Sequence, residues 1–142
     1  MTAPPHLFDR ALIRQRLARA TAGSAEAFLA EHAAREIVER LGLVLRDFPQ
    51  AADLGGSHGA LAAMLGAMGS VSHVVALDRV GGTAIADEDA LPLRTGAFDL
   101  IASAWGLGFV NDLPGALAQI HRALKPDGLF MAVLPGSATL GE

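Results

Sequence analysis

The chain has 142 residues, of which 51% are hydrophobic and 18% charged. This size and composition are typical of one globular domain and exclude a largely disordered chain. Its net charge of −4 provides no broad positive field, so no nucleic-acid partner is indicated. The absence of cysteine excludes disulfides and thiolate metal sites, and no apolar run approaches the ~20 residues that cross a bilayer.

Two helices are predicted at the start of the chain and make up an N-terminal helical segment over residues 1–45. The first helix follows two prolines and runs to about Ala20. Its arginines stand among leucines, a basic amphipathic pattern typical of a surface helix and shared by organelle transit peptides; we treat it as part of the domain. The second helix is predicted to begin at the N-cap Ser24 and to end at Gly42. Its apolar stripe consists of Phe28, Ala33, Ile37 and Leu41.

From residue 46 onward, short apolar runs alternate with helical patterns, which indicates repeated βαβ units and a mostly parallel sheet. The predicted strands are 51–54, 74–77, a short one near Ile85, 98–103 and 129–134. Helices are predicted over 58–68 and 113–124, the latter with a buried stripe of Leu113, Leu117, Ile120 and Leu124. A turn precedes the last strand, with Gly128 supplying the unusual backbone angles. The sequence therefore predicts an α/β, Rossmann-like, doubly wound domain over residues 46–142.

A glycine-rich segment occupies the turn between the first predicted strand and the following helix. It reads Asp53-Leu54-Gly55-Gly56-Ser57-His58-Gly59. Glycines there let the backbone approach a ligand closely, and a helix N-terminus offers free N–H groups. Asp78 ends the second predicted strand about twenty residues further on, where a carboxylate can accept hydrogen bonds from ribose hydroxyls. A dinucleotide-binding fold also fits these residues, although Ser57 replaces the middle glycine of Gly-x-Gly-x-x-Gly.

Five segments, in order, resemble the successive signatures of class I S-adenosylmethionine (SAM) methyltransferases. They are 53–59, Asp78, 87–93, 98–101 and 124–128. Two further segments, Leu7-Phe8-Asp9-Arg10 and 110–117, are most similar to the branch that contains the mitochondrial complex I assembly-factor methyltransferase. The malonyl-carrier-protein methyltransferase of biotin synthesis is a more distant likeness. The resemblance implies SAM as the cofactor.

The resemblance also implies roles for individual residues. Gly55 and Gly59 would shape the loop under the methionine part of SAM, and Asp53 would lie close to its amino group. Asp78 would hold the ribose hydroxyls, and Asp87 would accept a hydrogen bond from the adenine amino group. The complete set of implied cofactor-binding residues, in which Leu91 is an apolar wall, is Asp53, Gly55, Gly56, Ser57, Gly59, Asp78, Asp87, Glu88 and Leu91. No catalytic residue is identified, and the scattered histidines predict no metal site.

Three features depart from the family's pattern. Ser57 adds a side chain where the family usually has glycine, and Gly108 stands where this branch often has a histidine followed by an aromatic residue. The C-terminal strands of the methyltransferase fold are missing after the strand that ends at Leu134. Trp105 and Phe109 fit a methyl-transfer site and simple packing equally well.

The predicted function is a SAM-binding, methyltransferase-like protein that transfers a methyl group to an unidentified acceptor. The alternative is a non-catalytic interaction or assembly factor of the same fold, and resemblance to the complex I branch also implies modification of a protein arginine. The open edge from Leu129 to Leu134 predicts a protein partner or a homo-oligomer. A cytoplasmic location is predicted.

Overall fold

The computed structural model describes residues 5–19, 25–55, 59–81, 83–87 and 90–138. These residues form helices and strands in the alternating order that the sequence predicts. The helices are α1 (Arg10–Arg19), α2 (Ala25–Leu41), α3 (Ala60–Gly66) and α4 (Leu113–Ala123), with one 3₁₀ turn at Gly106–Phe109. The strands are β1 (Phe48–Leu54), β2 (Val71–Asp78), β3 (Ala84–Ile85), β4 (Phe98–Ala104) and β5 (Leu124–Val133).

The five strands form one parallel sheet in the order β3-β2-β1-β4-β5. Strand β1 is central and pairs with β2 on one side and with β4 on the other. Asp53 near the end of β1 lies opposite Ala76 of β2 and Ala102 of β4. The predicted α/β, Rossmann-like fold is confirmed.

Both faces of the sheet are buried, which explains why its strands read as continuous apolar runs. Successive residues of β1 point to opposite faces, so Ala51 enters one core cluster and Ala52 the other. Helices α2 and α3 cover the first face and α4 covers the second. The helices therefore lie on both faces, as in a doubly wound fold.

The predicted buried faces of two helices are partly wrong. Phe28 of α2 is 65% exposed and Leu117 of α4 is 39% exposed. Alanines are buried in their place, at Ala34 in α2 and at Ala116 and Ala123 in α4. Small side chains let a helix lie close to a sheet that is itself rich in alanine, and Phe28 and Leu117 point outward. The predicted N-cap Ser24 lies outside the described residues.

Strand β5 begins with an irregularity that is anchored by Asp99 of β4. The pairing jumps from Phe98 opposite Leu124 to Leu100 opposite Leu129. In this interval the Asp99 carboxylate accepts hydrogen bonds from the Gln50 N–H at 2.9 Å and the Lys125 ammonium at 3.0 Å. Burial raises the pKa of Asp99, but these two hydrogen bonds and the Lys125 and Arg46 charges outweigh it and lower that pKa below its usual value.

The turn inside this irregularity differs from the prediction in one respect. Asp127, not Gly128, adopts the left-handed backbone conformation, with φ of 63°. Gly128 is required for a different reason, because a Cβ there would lie 2.8 Å from the Lys125 carbonyl oxygen. The motif from residue 124 to 128 thus forms a turn at the end of the sheet opposite the carboxyl ends of the strands.

The N-terminal helices differ in how they are held. Helix α2 buries Ile37 and Leu41 in the core cluster that also contains Leu100 of the sheet, whereas α1 has no buried residue. The boundary between the predicted segments 1–45 and 46–142 stays a prediction. Among the described residues, no helix is long and apolar enough to cross a membrane.

Candidate functional site

The candidate site lies at the carboxyl ends of β1, β2 and β4. The order of the sheet reverses direction between β1 and β4, and ligands of open α/β sheets bind at such a switch point. Gly55 and Gly59, on either side of the turn after β1, have φ of 68° and 69°. Only glycine adopts this conformation without strain, which explains the glycines of this turn.

Asp53 is buried beneath the glycine turn, with 1% of its surface exposed. One carboxylate oxygen, Oδ2, accepts a hydrogen bond from the Ala62 N–H of α3 at 3.1 Å. The other, Oδ1, is buried and has no hydrogen-bond donor in the part of the chain that the structure describes. Burial raises the pKa of Asp53 to about 7, the Ala62 hydrogen bond opposes this rise, and the negative charge of Asp78 adds to it. Among the described residues, one oxygen of this carboxyl group is therefore left without a hydrogen-bond donor.

Asp78 ends β2 and is 7% exposed. Its Oδ1 accepts a hydrogen bond from the Arg79 N–H at 2.7 Å. The Arg79 side chain is also buried and crosses to the turn after β4, where Nη2 donates to the Gly106 carbonyl at 3.1 Å. The carboxyl ends of β2 and β4 are thus joined directly across the site.

The turn after β4 lies directly against the turn after β1. A Cβ built on Gly106 would be 2.8 Å from both Cα and O of Gly55 and 2.9 Å from the Leu54 carbonyl oxygen. Trp105, the residue before, has φ of 73°, an uncommon conformation for a bulky residue. Gly108, in the same turn, packs against the ring of Pro135. A Cβ built on Gly108 would lie 2.8 Å from Cδ of that ring. A histidine at Gly108 would therefore collide with Pro135.

Asp87 lies beyond β3 at the edge of an open cleft of about 100 Å³. The described residues around this cleft are Arg14, Arg79, Ile85, Ala86 and Asp87. Leu91 lies instead in the core cluster that faces α4, and its N–H donates to the Gln119 side chain at 2.8 Å. Its implied role as a wall of the site stays a prediction.

The structure brings five of the implied cofactor-binding residues to one end of the sheet: Asp53, Gly55, Gly59, Asp78 and Asp87. Gly56, Ser57 and Glu88 lie outside the described residues. Sequence reasoning missed Arg79 and Gly106, because nothing in the local pattern distinguishes an arginine or a glycine that contacts the neighbouring strand end. Arg10 was noticed only as part of a motif, without a role in this site.

Comparison with protein families matches residues 52–132 to a methyltransferase domain. The matched segment begins within β1, contains all of β2, β3 and β4 and all but the last residue of β5, and includes the glycine turn and both strand-end aspartates. Among solved structures, SAM-bound CalS10, an amino pentose methyltransferase from Micromonospora echinaspora, superimposes with a TM-score of 0.62. It is 16% identical and the match covers 95% of this chain and 60% of that one, so this likeness shows the fold alone.

Two kinds of curated relative match nearly the whole chain. The mitochondrial arginine-hydroxylase NDUFAF5 of Mus musculus is 35% identical over 96% of this chain and 44% of its own length. The malonyl-[acyl-carrier protein] O-methyltransferase of Methylovorus sp. (strain MP688) is 34% identical over 100% of this chain and 56% of its own length. The chain thus spans about half the length of these relatives. With the family match over residues 52–132, the chain belongs to the class I SAM-dependent methyltransferases, and its cofactor is SAM.

Proposed function

We propose that the chain is a methyltransferase-like protein that binds SAM at the carboxyl ends of β1 and β2 and transfers its methyl group to an unidentified acceptor. The observation that carries this proposal is the buried Oδ1 of Asp53, which has no donor among the described residues. A buried carboxylate oxygen without a hydrogen-bond donor is costly, and the ammonium group of an amino acid would supply that donor. The methionine part of SAM carries such a group.

The other residues of the site fit the remaining parts of SAM. Asp78 would accept hydrogen bonds from the ribose hydroxyls, and Asp87 would accept one from the adenine amino group. Gly55 and Gly59 would let the backbone pass close to the methionine part, since neither carries a side chain. When bound, SAM supplies a methyl group on a positively charged sulfur. Transfer of that group depends mainly on alignment with the acceptor, so the contribution of these residues is orientation.

Titration with S-adenosylhomocysteine tests the proposal. Binding should be saturable, and it should weaken by up to about tenfold for each pH unit below 7, because Asp53 must lose its proton before it can pair with the ligand's ammonium group. Calorimetry in two buffers with different ionisation enthalpies should show proton release at about pH 6. The Asp53→Asn variant should bind weakly and lose this pH dependence. Absence of binding by folded protein at millimolar ligand, or a preference for NAD, would contradict the proposal.

A second candidate function is a non-catalytic interaction or assembly factor, or a protein that modifies arginine. Two observations favour it: the 35% identity to an arginine hydroxylase and the open edge of the sheet at β5. A screen for methyl transfer from labelled SAM separates the two functions, because an assembly factor should bind the cofactor without turnover. We propose a cytoplasmic location, and a chain without cysteine fits such a reducing compartment.

The open edge of β5 also supports a proposed protein partner or homodimer. Within the described residues, β5 pairs with β4 alone. The Val133 carbonyl accepts from the Trp105 N–H at 2.9 Å on the β4 side, so strand alternation turns the N–H and C=O of Ala132 toward the open edge. An exposed row of such groups favours pairing with another strand.

The Ala132→Pro substitution tests this edge. Proline removes the N–H that faces outward and leaves the hydrogen bonds to β4 in place, so it should abolish association while the chain stays folded. Sedimentation at micromolar concentration should show a dimer or larger species for the unmodified chain and a monomer for the variant. The matched control is Ala18→Pro in the exposed helix α1, which should leave association unchanged. A monomer for the unmodified chain at every concentration, without added partner, would contradict the homodimer.

A further inference from the structure

Two segments that lie 103 residues apart in the sequence meet beside the candidate site. The Phe8 N–H donates to Oδ1 of Asn111 at 2.8 Å, and Nδ2 of Asn111 donates back to the Phe8 carbonyl at 3.1 Å. The rings of Phe8 and Phe109 meet edge to face, with centroids 5.9 Å apart. The amide of Asn111 thus binds the N-terminal segment as a neighbouring strand would, and the aromatic pair covers one side of this contact.

Asp9 and Arg10 continue this contact toward the cofactor site. The Asp9 carboxylate accepts from the Leu12 N–H at 3.0 Å and so caps the start of α1. Arg10 then donates from Nη1 to the Phe109 carbonyl at 2.7 Å and from Nη2 to the Asp87 carboxylate. One side chain therefore joins the turn after β4 to the carboxylate proposed to hold adenine.

The stability of helix α1 does not explain the presence of Arg10 at its start. A cation in the first turn of a helix opposes the helix dipole, so Arg10 is unfavourable for α1 in isolation. Only 13% of its side chain is exposed, compared with 40% for Asp87. Because α1 has no buried residue, its position depends on contacts at its beginning, and Arg10 and Phe8 provide them. Further along α1, Arg14 lines the cleft beside Asp87.

We propose that Arg10 is a positioning residue that orients the Asp87 carboxylate for the adenine amino group and holds α1 beside the cleft that Asp87 and Arg14 line. A carboxylate can accept several hydrogen bonds, so the Arg10 contact leaves Asp87 able to receive the amino group as well. This inference rests on the proposed function, since it assigns the ligand group that Asp87 receives. It gives the Leu7-Phe8-Asp9-Arg10 motif a role in cofactor binding.

The Arg10→Ala variant tests the proposal with two ligands. S-adenosylhomocysteine should bind roughly tenfold or more weakly than to the unmodified chain, because Asp87 loses its orienting partner. The analogue in which hydrogen replaces the 6-amino group of adenine should lose much less, since it has no group for Asp87 to accept. Arg10→Lys should bind S-adenosylhomocysteine with intermediate affinity. A lysine ammonium can reach Asp87, but unlike the planar guanidinium it cannot reach the Phe109 carbonyl at the same time. The control Arg16→Ala removes the same charge from an exposed position of α1 and should change neither affinity.

Hydrogen exchange without any ligand provides an independent measurement. The amides of α1 should exchange faster in Arg10→Ala than in Arg16→Ala, since only the former releases the helix. Equal exchange in the two variants, or an equal loss of affinity for both ligands, would overturn the positioning role. If the unmodified chain binds neither ligand while Arg10→Ala still releases α1, the assigned ligand is wrong, and the failure is that of the proposed function.

Discussion

Replacement of Asp78 by alanine should weaken binding of S-adenosylhomocysteine by about tenfold to a hundredfold. Asp78 is 7% exposed at the end of β2, and its carboxylate is proposed to accept hydrogen bonds from the ribose hydroxyls. Hydrogen bonds to a charged group contribute about 1.5–3 kcal/mol, and each 1.4 kcal/mol is about tenfold in affinity. Calorimetric titration at about pH 8, where Asp53 is ionised, measures the difference directly.

The control for Asp78→Ala is Asp47→Ala, which removes the same charge at the opposite end of the sheet, from an exposed position just before β1. This variant should bind the ligand as the unmodified chain does. Asp78→Ala should also stay folded, because loss of the Asp78 charge relieves its repulsion of Asp53. If both variants bind equally well, the ribose does not lie at the end of β2 and the proposed orientation of the cofactor is wrong.

The strands and the order of the elements could be predicted because burial on both faces of a parallel sheet leaves a simple pattern. Runs such as Leu100-Ile101-Ala102 are apolar at every position, since alternate residues enter different core clusters. The faces of α2 and α4 were harder to predict. In these helices, which contain many alanines, not every large apolar residue marks the buried face: Phe28 and Leu117 are exposed while Ala34 and Ala116 are buried.

The site could be predicted only as far as local patterns reach. Glycines and aspartates at strand ends carry a recognisable spacing, so the positions of Gly55, Gly59 and Asp78 at the ends of strands could be predicted from sequence. The contact of Arg79 with Gly106 spans 27 positions and that of Arg10 with Asp87 spans 77, and no local pattern predicts which residues meet over such separations. Segment 98–101 shows that a recognisable motif need not belong to the site. It is one of the segments that resemble the family, yet its Asp99 accepts hydrogen bonds from Gln50 and Lys125 at the other end of the sheet.

Gly106→Ala should both destabilise the chain and remove most of its affinity for S-adenosylhomocysteine. The added Cβ would stand 2.8 Å from Cα and O of Gly55, closer than carbon atoms approach without a shift of the backbone. The obstructing atoms belong to the main chain, so no side-chain rotation can relieve the contact. The turn after β4 must then move away from the glycine turn, and the Arg79 hydrogen bond to the Gly106 carbonyl is strained with it. Overpacking of this kind costs about 1–3 kcal/mol.

Two other glycines separate this steric effect from backbone strain. Gly69→Ala meets no atom of the described residues within 4 Å and should change neither stability nor affinity appreciably. Gly59→Ala also meets no atom of the described part of the chain within 4 Å but places alanine at φ of 69°, so its cost of about 1–2 kcal/mol should come from the backbone. Chemical denaturation and ligand titration of the three variants should rank Gly106→Ala as the most damaging to binding. If Gly106→Ala instead behaves like Gly69→Ala in both measurements, the turns after β1 and β4 are not in close contact, and the cofactor site is more open than this packing allows.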